Sequence, residues 1–482
     1  MHIRLVLRVV ALLLLIVAFF MIFPIIFALY YRENEMIRYF LIPMATIGGV
    51  STLMLILFRH PPGRITTRDG FLLVTASWIG ASLFGCLPFF LSGSIPSFAD
   101  AFFETMSGYT TTGASILTQI ESLPKCMLFW RSLTHWLGGM GIVVLTAAVL
   151  PLLGIGAYQL IKAEAPGPTL DKITPKIAET AKVLWLIYLF LSAAETILLI
   201  FGGMSLFDAL THTFGTLATG GFSPKALSVG HYDSGYIDVV ITVFMVLAGM
   251  NFAIYFWVAT GNIRKILANI EMKVYLAIFI GVTLIIALVL FRNVYSTFGK
   301  SLRHAGFQTA TILTTTGYVT TDYELWPNLA QILLFGLMFV GGCSGSTGGG
   351  IKVVRIVTLA KLAINEMRYL SHPRGVFSVK MGGQTLKKDV VYTVAGFYFL
   401  YITMLLITTI VVASAGNDIL TSLSSALVTL GNIGPGFGKI GPSGNYAYLP
   451  EYVKWFLSFA MMAGRLELYT VLILFTPRLW KK

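Results

Sequence analysis

Four segments of this chain each run through hydroxyl or small residues into a glycine: Thr110-Thr111-Thr112-Gly113, Leu217-Ala218-Thr219-Gly220, Thr314-Thr315-Thr316-Gly317 and Gly431-Asn432-Ile433-Gly434. What such segments offer is the chemistry of the backbone. Glycine reaches dihedral angles closed to other residues, so a strand containing it can turn carbonyl oxygens inward, where they replace the hydration shell of an ion. A threonine beside it adds a hydroxyl. A site made of carbonyls is neutral, and it holds a monovalent cation firmly enough to admit it and weakly enough to let it go.

A second constellation is the run Gly341, Gly342, Cys343, Ser344, Gly345, Ser346, Thr347, Gly348, Gly349 and Gly350. It interrupts an apolar stretch over 328–363 that is too long for one simple helix. Two half-helices joined by irregular backbone are expected there. Irregular backbone at membrane depth must be buried in protein or line water, because lipid cannot satisfy its hydrogen bonds. Arg465 is the third element: it has long apolar flanks on both sides, and a charge at that depth costs several kcal/mol unless it faces water or a partner. A pore-facing electrostatic barrier beside the Gly341–Gly350 loop is the expected role. Glu467 lies on another helix face and is not an obvious neighbour partner.

The elements that must position these groups follow from hydropathy. Hydrophobic residues make up 56% of the 482, only 11% are charged, and the mean hydropathy is +0.81, so the bilayer is the solvent. About 20 apolar residues cross a hydrocarbon core of roughly 30 Å. Ten spans are expected, at about 5–30, 37–58, 71–93, 126–154, 182–203, 236–260, 273–292, 328–363, 389–414 and 452–477. The first resembles a signal peptide but is too long, and is read as a retained helix. Lys and Arg concentrate in the loops near 59–70, 157–182, 262–273 and 352–388 and in both tails, which puts these and both termini in the cytoplasm.

Between the spans lie the segments 97–115, 205–223, 297–318 and 417–437, too polar for lipid and too apolar for exposed loops. Each starts at a plausible cap, Ser97, Ser205, Ser296 or Asp418, and has length for about three helical turns before its glycine. The glycines recur roughly every hundred residues, the length of one hairpin with its loops. A unit of helix, re-entrant segment and helix, repeated four times after an extra helix pair, accounts for the pattern. Four short helices aiming their partially negative C-terminal ends at one axis would stabilise a cation without a carboxylate.

Other chemistries fit poorly. The net charge of +13 is spread over short loops and forms no long basic face, so nucleic acid is not an expected partner. Cys86, Cys126 and Cys343 lack metal-ligand spacing and read as packing residues. Gly342-Cys343-Ser344-Gly345 satisfies a Gly-x-Ser-Gly protease pattern, but the one histidine after it, His372, lies in a basic loop, and a serine nucleophile needs a base within reach. No Walker loop is present, since Ile351 separates Gly350 from Lys352. Arg131 and His135 are expected to anchor the outer end of their helix, and Glu195 to be paired or protonated. The chain is not expected to be an enzyme.

The four glycine segments, the Gly341–Gly350 loop, the stretch Ile177-Ala-Glu-Thr-Ala-Lys182 and Gly464-Arg465-Leu466-Glu467 together resemble the Trk/Ktr/HKT superfamily over essentially the whole chain. Within it, the resemblance is to the membrane subunits of bacterial Trk potassium uptake systems. The resemblance implies an all-α membrane protein of ten transmembrane helices with four re-entrant pore segments in pseudo-fourfold array. The extra helix pair would be 1–70, and the pore repeats 71–156, 157–261, 262–388 and 389–482, the third carrying a gating loop at 341–350. Potassium would bind at the four glycine segments, with no organic cofactor in this chain. Implied partners are a TrkA-type cytosolic nucleotide-binding ring and a second copy of the chain in a homodimer, in a bacterial inner membrane. A serine in place of the first filter glycine goes with sodium transport in the superfamily, so Gly113 favours potassium. Asn432 and Ile433 depart from the pattern. A proton- or sodium-coupled potassium symporter is the alternative, disfavoured because the repeats share one polarity across the membrane rather than inverted polarity.

Overall fold

Helix dominates the chain because apolar backbone in hydrocarbon must satisfy its own N–H and C=O groups. The computed structural model describes residues 1–59, 65–141, 177–382 and 384–480. Among the described residues, six helical stretches are long and apolar enough to cross a membrane: Ile3–Tyr30, Asn34–Leu57, Thr67–Leu91, Ala181–Phe201, Ile270–Asn293 and Lys388–Ala413. Their outward faces carry exposed Leu53, Ile56, Phe190, Phe201, Ile280, Phe399 and Ile410. Such faces would drive association in water and suit lipid. The chain is therefore an all-α membrane protein, with one two-stranded hairpin, Lys380–Met381 against Gln384–Thr385, among the described residues.

Two expected spans are broken rather than continuous. Gly235–Ala248 turns by 99° into Ala253–Ala259, and Glu451–Arg465 turns by 113° into Tyr469–Phe475; counting each bent pair as one crossing gives eight. The stretch 328–363 splits as its glycine-rich middle requires, into Asn328–Leu337 and Val353–Ser371. Lys125–Gly139 stops on a glycine pair as well. The remainder of that expected span, 142–154, and most of the loop at 157–182 lie outside the described residues. The breaks have a common physical origin. Any side chain at Gly138 or Gly464 would strike a backbone carbonyl, Tyr109 O or Leu430 O respectively, and one at Gly249 would meet Thr314 and Tyr275. The backbone of each second helix thus runs hard against the end of a short helix, and periodic hydrophobicity alone does not reveal that.

Those short helices are Phe98–Tyr109, Leu206–Leu217, Phe298–Leu313 and Ile419–Leu430. Ser97, Ser205 and Asp418 cap three of them, each accepting from the N–H three residues on. The third starts at Thr297 rather than Ser296, without a side-chain cap bond. Each is preceded by a long helix, and the second, third and fourth are followed by a broken one. The second helix of one unit packs on the short helix of the next: Lys125–Gly139 on Leu206–Leu217, Gly235–Ala248 on Phe298–Leu313, and Glu451–Arg465 back on Phe98–Tyr109.

The extra N-terminal pair, Ile3–Tyr30 and Ile37–Leu57, packs on Thr67–Gly85 and Lys125–Gly139, and one carboxylate ties it to the latter. Glu33, in the turn between the two, accepts from the backbone N–H of Lys125 (2.7 Å) and Cys126 (3.0 Å). Two orphan donors at the start of Lys125–Gly139 are thereby satisfied, and the negative charge complements the helix dipole. Glu33→Ala should lower stability by about 1–2 kcal/mol, read as an earlier thermal unfolding midpoint in detergent, while Glu33→Gln, which keeps an acceptor, should recover at least half the loss.

Candidate functional site

All four short helices end in the same way. The residue after the cap has left-handed backbone: Thr111 (φ 53°), Thr219 (φ 55°), Thr315 (φ 59°) and Asn432 (φ 55°). Its N–H bonds back to the carbonyl three residues earlier, and the next N–H reaches five residues back, Thr112 to Ser107 (2.9 Å), Gly220 to Gly215 (2.7 Å), Thr316 to Thr311 (2.8 Å) and Ile433 to Val428 (2.8 Å). This pair of bonds is the Schellman ending, which glycine normally occupies. Three copies put a β-branched threonine there instead, at about 1–2 kcal/mol each. Strain repeated in register marks a built site. Asparagine tolerates the left-handed region better, so the fourth copy keeps the geometry while departing in sequence.

Two residues further on, the backbone is left-handed again, at Gly113 (φ 79°), Gly221 (φ 80°), Gly317 (φ 84°) and Gly434 (φ 94°). This register corrects the second segment. Its equivalent of Gly113 is Gly221, so the matching quartet is Ala218-Thr219-Gly220-Gly221 and not Leu217-Ala218-Thr219-Gly220. Adjacent glycines gave the sequence two alignments, and only the helix-end hydrogen bonds choose between them.

The four glycines close a ring. A Cβ on Gly113 would fall on the carbonyl oxygen of Gly220, one on Gly221 on that of Thr316, one on Gly317 on that of Ile433, and one on Gly434 on that of Thr112. Each repeat thus lays its glycine against the carbonyl of the residue preceding the glycine in the next. Thr110 to Thr112, Thr314 to Thr316, Leu217 to Thr219, and Asn432 with Ile433 are fully buried. Thr110 and Thr112 share a hydroxyl hydrogen bond, as do Thr314 and Thr316. Asn432 Nδ2 donates to Thr112 Oγ1 and to Met461 O, both at 2.9 Å. Gly434 O accepts from the Tyr446 hydroxyl at 2.9 Å.

Polar side chains on the short helices hold the outgoing strands, a role the sequence reading did not assign. Glu104 accepts from Ser115 Oγ and Ile116 N at 2.9 Å each and from Arg131 Nε at 2.7 Å. At the equivalent position of the second copy, His212 Nε2 meets Ser223 Oγ at 3.1 Å, and in the third Gln308 donates to Thr321 O at 3.4 Å. Arg131 is therefore not an interfacial anchor. It is 3% exposed, ion-paired to Glu104, and reaches Ser223 O in the next repeat. His135 is fully buried too, stacked on Phe222 with ring centroids 4.0 Å apart, behind Gly220. Neighbouring repeats are also tied by Lys454 to Asp100 (2.6 Å), Arg303 to Asp238 (2.6 Å) and Gly438 N–H to Glu324 (2.6 Å). Glu195 is fully buried behind the second short helix, beside Thr216.

Beneath the ring lies the glycine-rich loop. Its neck is closed by Gly341 N–H to Ile351 O (2.8 Å) and Val353 N–H to Gly342 O (3.2 Å). The intervening residues touch the repeats in turn. Thr347 Oγ1 donates to Leu217 O (2.9 Å), Gly349 N–H donates to Thr315 Oγ1 (2.7 Å), and Gly349 packs on Gly431 O. Cys343 N–H bonds to Gly249 O (2.8 Å) and Phe252 N–H to Gly345 O (3.0 Å), using the break in the second repeat's helix. Arg465 donates to Thr347 O (2.6 Å) and to Gly138 O and Gly139 O of the first repeat (2.9 and 3.0 Å). Lys352 Nζ bonds to Gly348 O, and Glu467 pairs with Arg355 on the half-helix beyond the loop. Sequence reasoning missed Arg355 as the partner of Glu467, because it lies in another element.

The chain resembles known proteins along its full length. The family model described as TrkH, cation transport protein, matches residues 36–482. The Trk system potassium uptake protein TrkH of Salmonella typhimurium is 39% identical over 486 residues, covering 100% of both chains, and that of Escherichia coli (strain K12) gives the same figures. The crystal structure of the potassium transporter TrkH from Vibrio parahaemolyticus superposes with a TM-score of 0.90 at 36% identity, covering 100% of both chains.

The corrected register is testable. Gly221→Ala forces a side chain into left-handed backbone and onto the Thr316 carbonyl, whereas Gly220→Ala meets only the His135 ring. Ion flux in proteoliposomes should fall by about an order of magnitude or more in both single variants. Adding His135→Ala should restore most of the flux to Gly220→Ala and none to Gly221→Ala.

Proposed function

The chain belongs to the TrkH family of cation transport proteins, and from that premise we propose that it takes up potassium through a channel-like pore with a carbonyl selectivity filter. The observation that carries this reading is the closed ring of four identically terminated helices, with one glycine-rich loop directly beneath it. Alternating left-handed residues keep successive carbonyls on one side of a strand, where an extended strand would alternate them. Four such strands offer a dehydrated ion oxygen ligands without net charge. The C-terminal ends of the four short helices add a favourable potential below them.

In this reading the residues from Thr110, Ala218, Thr314 and Gly431 to the glycines Gly113, Gly221, Gly317 and Gly434 form the filter. The loop and Arg465 form the gate: the loop fills the space under the ring, and the guanidinium and the Lys352 ammonium oppose a second cation there. Opening then needs the half-helix Val353–Ser371 to shift and draw the loop aside. That half-helix continues into the hairpin at Lys380–Thr385, with Arg374, Lys380, Lys387 and Lys388 nearby. A cytosolic TrkA-type nucleotide-binding ring would grip these basic segments, the chain working as a homodimer in a bacterial inner membrane with both termini inside. Ten crossings follow if Lys125–Gly139 and the half-helix pair of the third repeat each count as one. The symporter reading would be favoured if flux stopped without a gradient of protons or sodium.

Reconstituted flux of potassium, rubidium, sodium and lithium tests the proposal. Gly113→Ser should admit sodium by disturbing the ring at the Gly220 carbonyl, and an unchanged potassium-to-sodium ratio would remove Gly113 from the filter. Deleting Ser344 to Gly348, or making Arg465→Ala, should raise flux in the closed condition, the latter about tenfold because charge-assisted hydrogen bonds to the loop are lost. If both well-folded variants conduct no more than the parent, the loop and arginine are not the gate.

A further inference from the structure

We propose that Glu271 is the catch that holds the glycine-rich loop closed, and that the segment leading into it gives the gate a second mechanical input. This rests on reading the loop as the gate. Glu271 sits in the first turn of Ile270–Asn293, a helix that belongs to neither half of the loop-bearing span. The residue is 8% exposed. One oxygen, Oε1, accepts from Ser344 N–H at 2.7 Å and from Val354 N–H at 3.0 Å. Ser344 lies on the near side of the loop neck and Val354 on the far side, so a single atom bridges the two strands.

Both donors need that oxygen. Val354 is in the first turn of Val353–Ser371, where N–H groups have no partner within the helix, and a carboxylate at that end also meets the positive pole of the dipole. Ser344 is in irregular backbone, and an unpaired buried N–H there is costly. The two neck bonds, Gly341 to Ile351 and Gly342 to Val353, run beside the Glu271 bridge. Any shift of Val353–Ser371 away from the neck must therefore break the bridge, and any withdrawal of Glu271 loosens both strands together. The carboxylate also lies within electrostatic reach of Lys352, along with Glu467, Arg355 and Arg465. It thus helps hold the ammonium that bonds to Gly348 O.

Glu271 is positioned from the other side. Asn269 caps its helix, accepting from Met272 N–H at 2.9 Å, and the preceding connector carries exposed Arg264 and Lys265 in the short helix Ile263–Ala268. A pull on that connector reaches the loop through Glu271 without passing through Val353–Ser371. Glu271 is a positioning residue: it acts on the ion path only through the loop.

The test uses the full-length chain in proteoliposomes and in detergent, comparing Glu271→Ala, Glu271→Gln and Arg465→Ala. Glu271→Ala should raise basal potassium flux about tenfold, the scale set by losing hydrogen bonds to a charged acceptor, with the potassium-to-sodium ratio unchanged. Hydrogen exchange should quicken at the Ser344 and Val354 amides together. Glu271→Gln, which keeps an acceptor without the charge, should fall between Glu271→Ala and the parent in both readouts. Arg465→Ala should raise flux while leaving those two amides protected. Parental flux and protection in Glu271→Ala, where Arg465→Ala does raise flux, would overturn the catch and leave the gate standing. If Arg465→Ala and the loop deletion also leave flux unchanged, the gate reading fails and the catch with it. Should Glu271→Ala not fold, the glutamine variant decides alone, since a merely structural carboxylate predicts parental exchange at both amides.

Discussion

Threonine resists left-handed backbone, yet three of the four short helices end on a threonine held in it, each followed two residues later by a left-handed glycine pressed on the next repeat's carbonyl. Much of the surrounding structure follows from keeping that arrangement in place. Strained caps persist only when their surroundings over-determine them. Here the surroundings are the buried Glu104–Arg131 pair, the cross-repeat ties of Lys454 to Asp100 and Arg303 to Asp238, and the Asn432 amide bridging the fourth copy to the first. Single ion pairs of this kind contribute modestly to stability. Arranged around a ring, they fix how one repeat sits against the next, which is what carbonyl spacing depends on.

Close approach has a second consequence one layer lower. The second helices run their backbones against the short helices at Gly138, Gly249 and Gly464; those of the second and fourth repeats bend there, Lys125–Gly139 ends on its glycine pair, and the last-turn carbonyls are left without helical partners. Those carbonyls are what the glycine-rich loop and Arg465 use: Gly249 O takes Cys343, and Gly138 O and Gly139 O take the guanidinium. The ring and the loop beneath it are thus tied to the same interruptions. A rearrangement of the loop is felt by every repeat it touches.

The membrane class, the short helices, the split of 328–363 and the neighbourhood of Arg465 and the loop were all legible in the sequence, because hydropathy, capping residues and a glycine run are local signals. What was not legible depends on contacts between distant residues. The choice between Gly220 and Gly221 needed the helix-end hydrogen bonds. The 99° and 113° bends needed the close approach that forbids side chains at Gly249 and Gly464. Arg131 looked like an outer anchor because its partner Glu104 lies on another helix, and the pairing of Glu467 with Arg355 was not visible because Arg355 lies in another repeat. The family resemblance suggested a loop gate but not the carboxylate that spans its neck.

On the proposed function, the carbonyls of Thr112, Gly220, Thr316 and Ile433, each backed by the left-handed glycine of a neighbour, bound one site for a dehydrated monovalent cation. The most direct test is anomalous scattering from crystals of the chain grown in rubidium. An anomalous peak on the pseudo-fourfold axis within this ring, displaced by excess potassium but not by excess sodium, is the predicted result. Rubidium absent from the ring, or displaced equally by sodium, would contradict it.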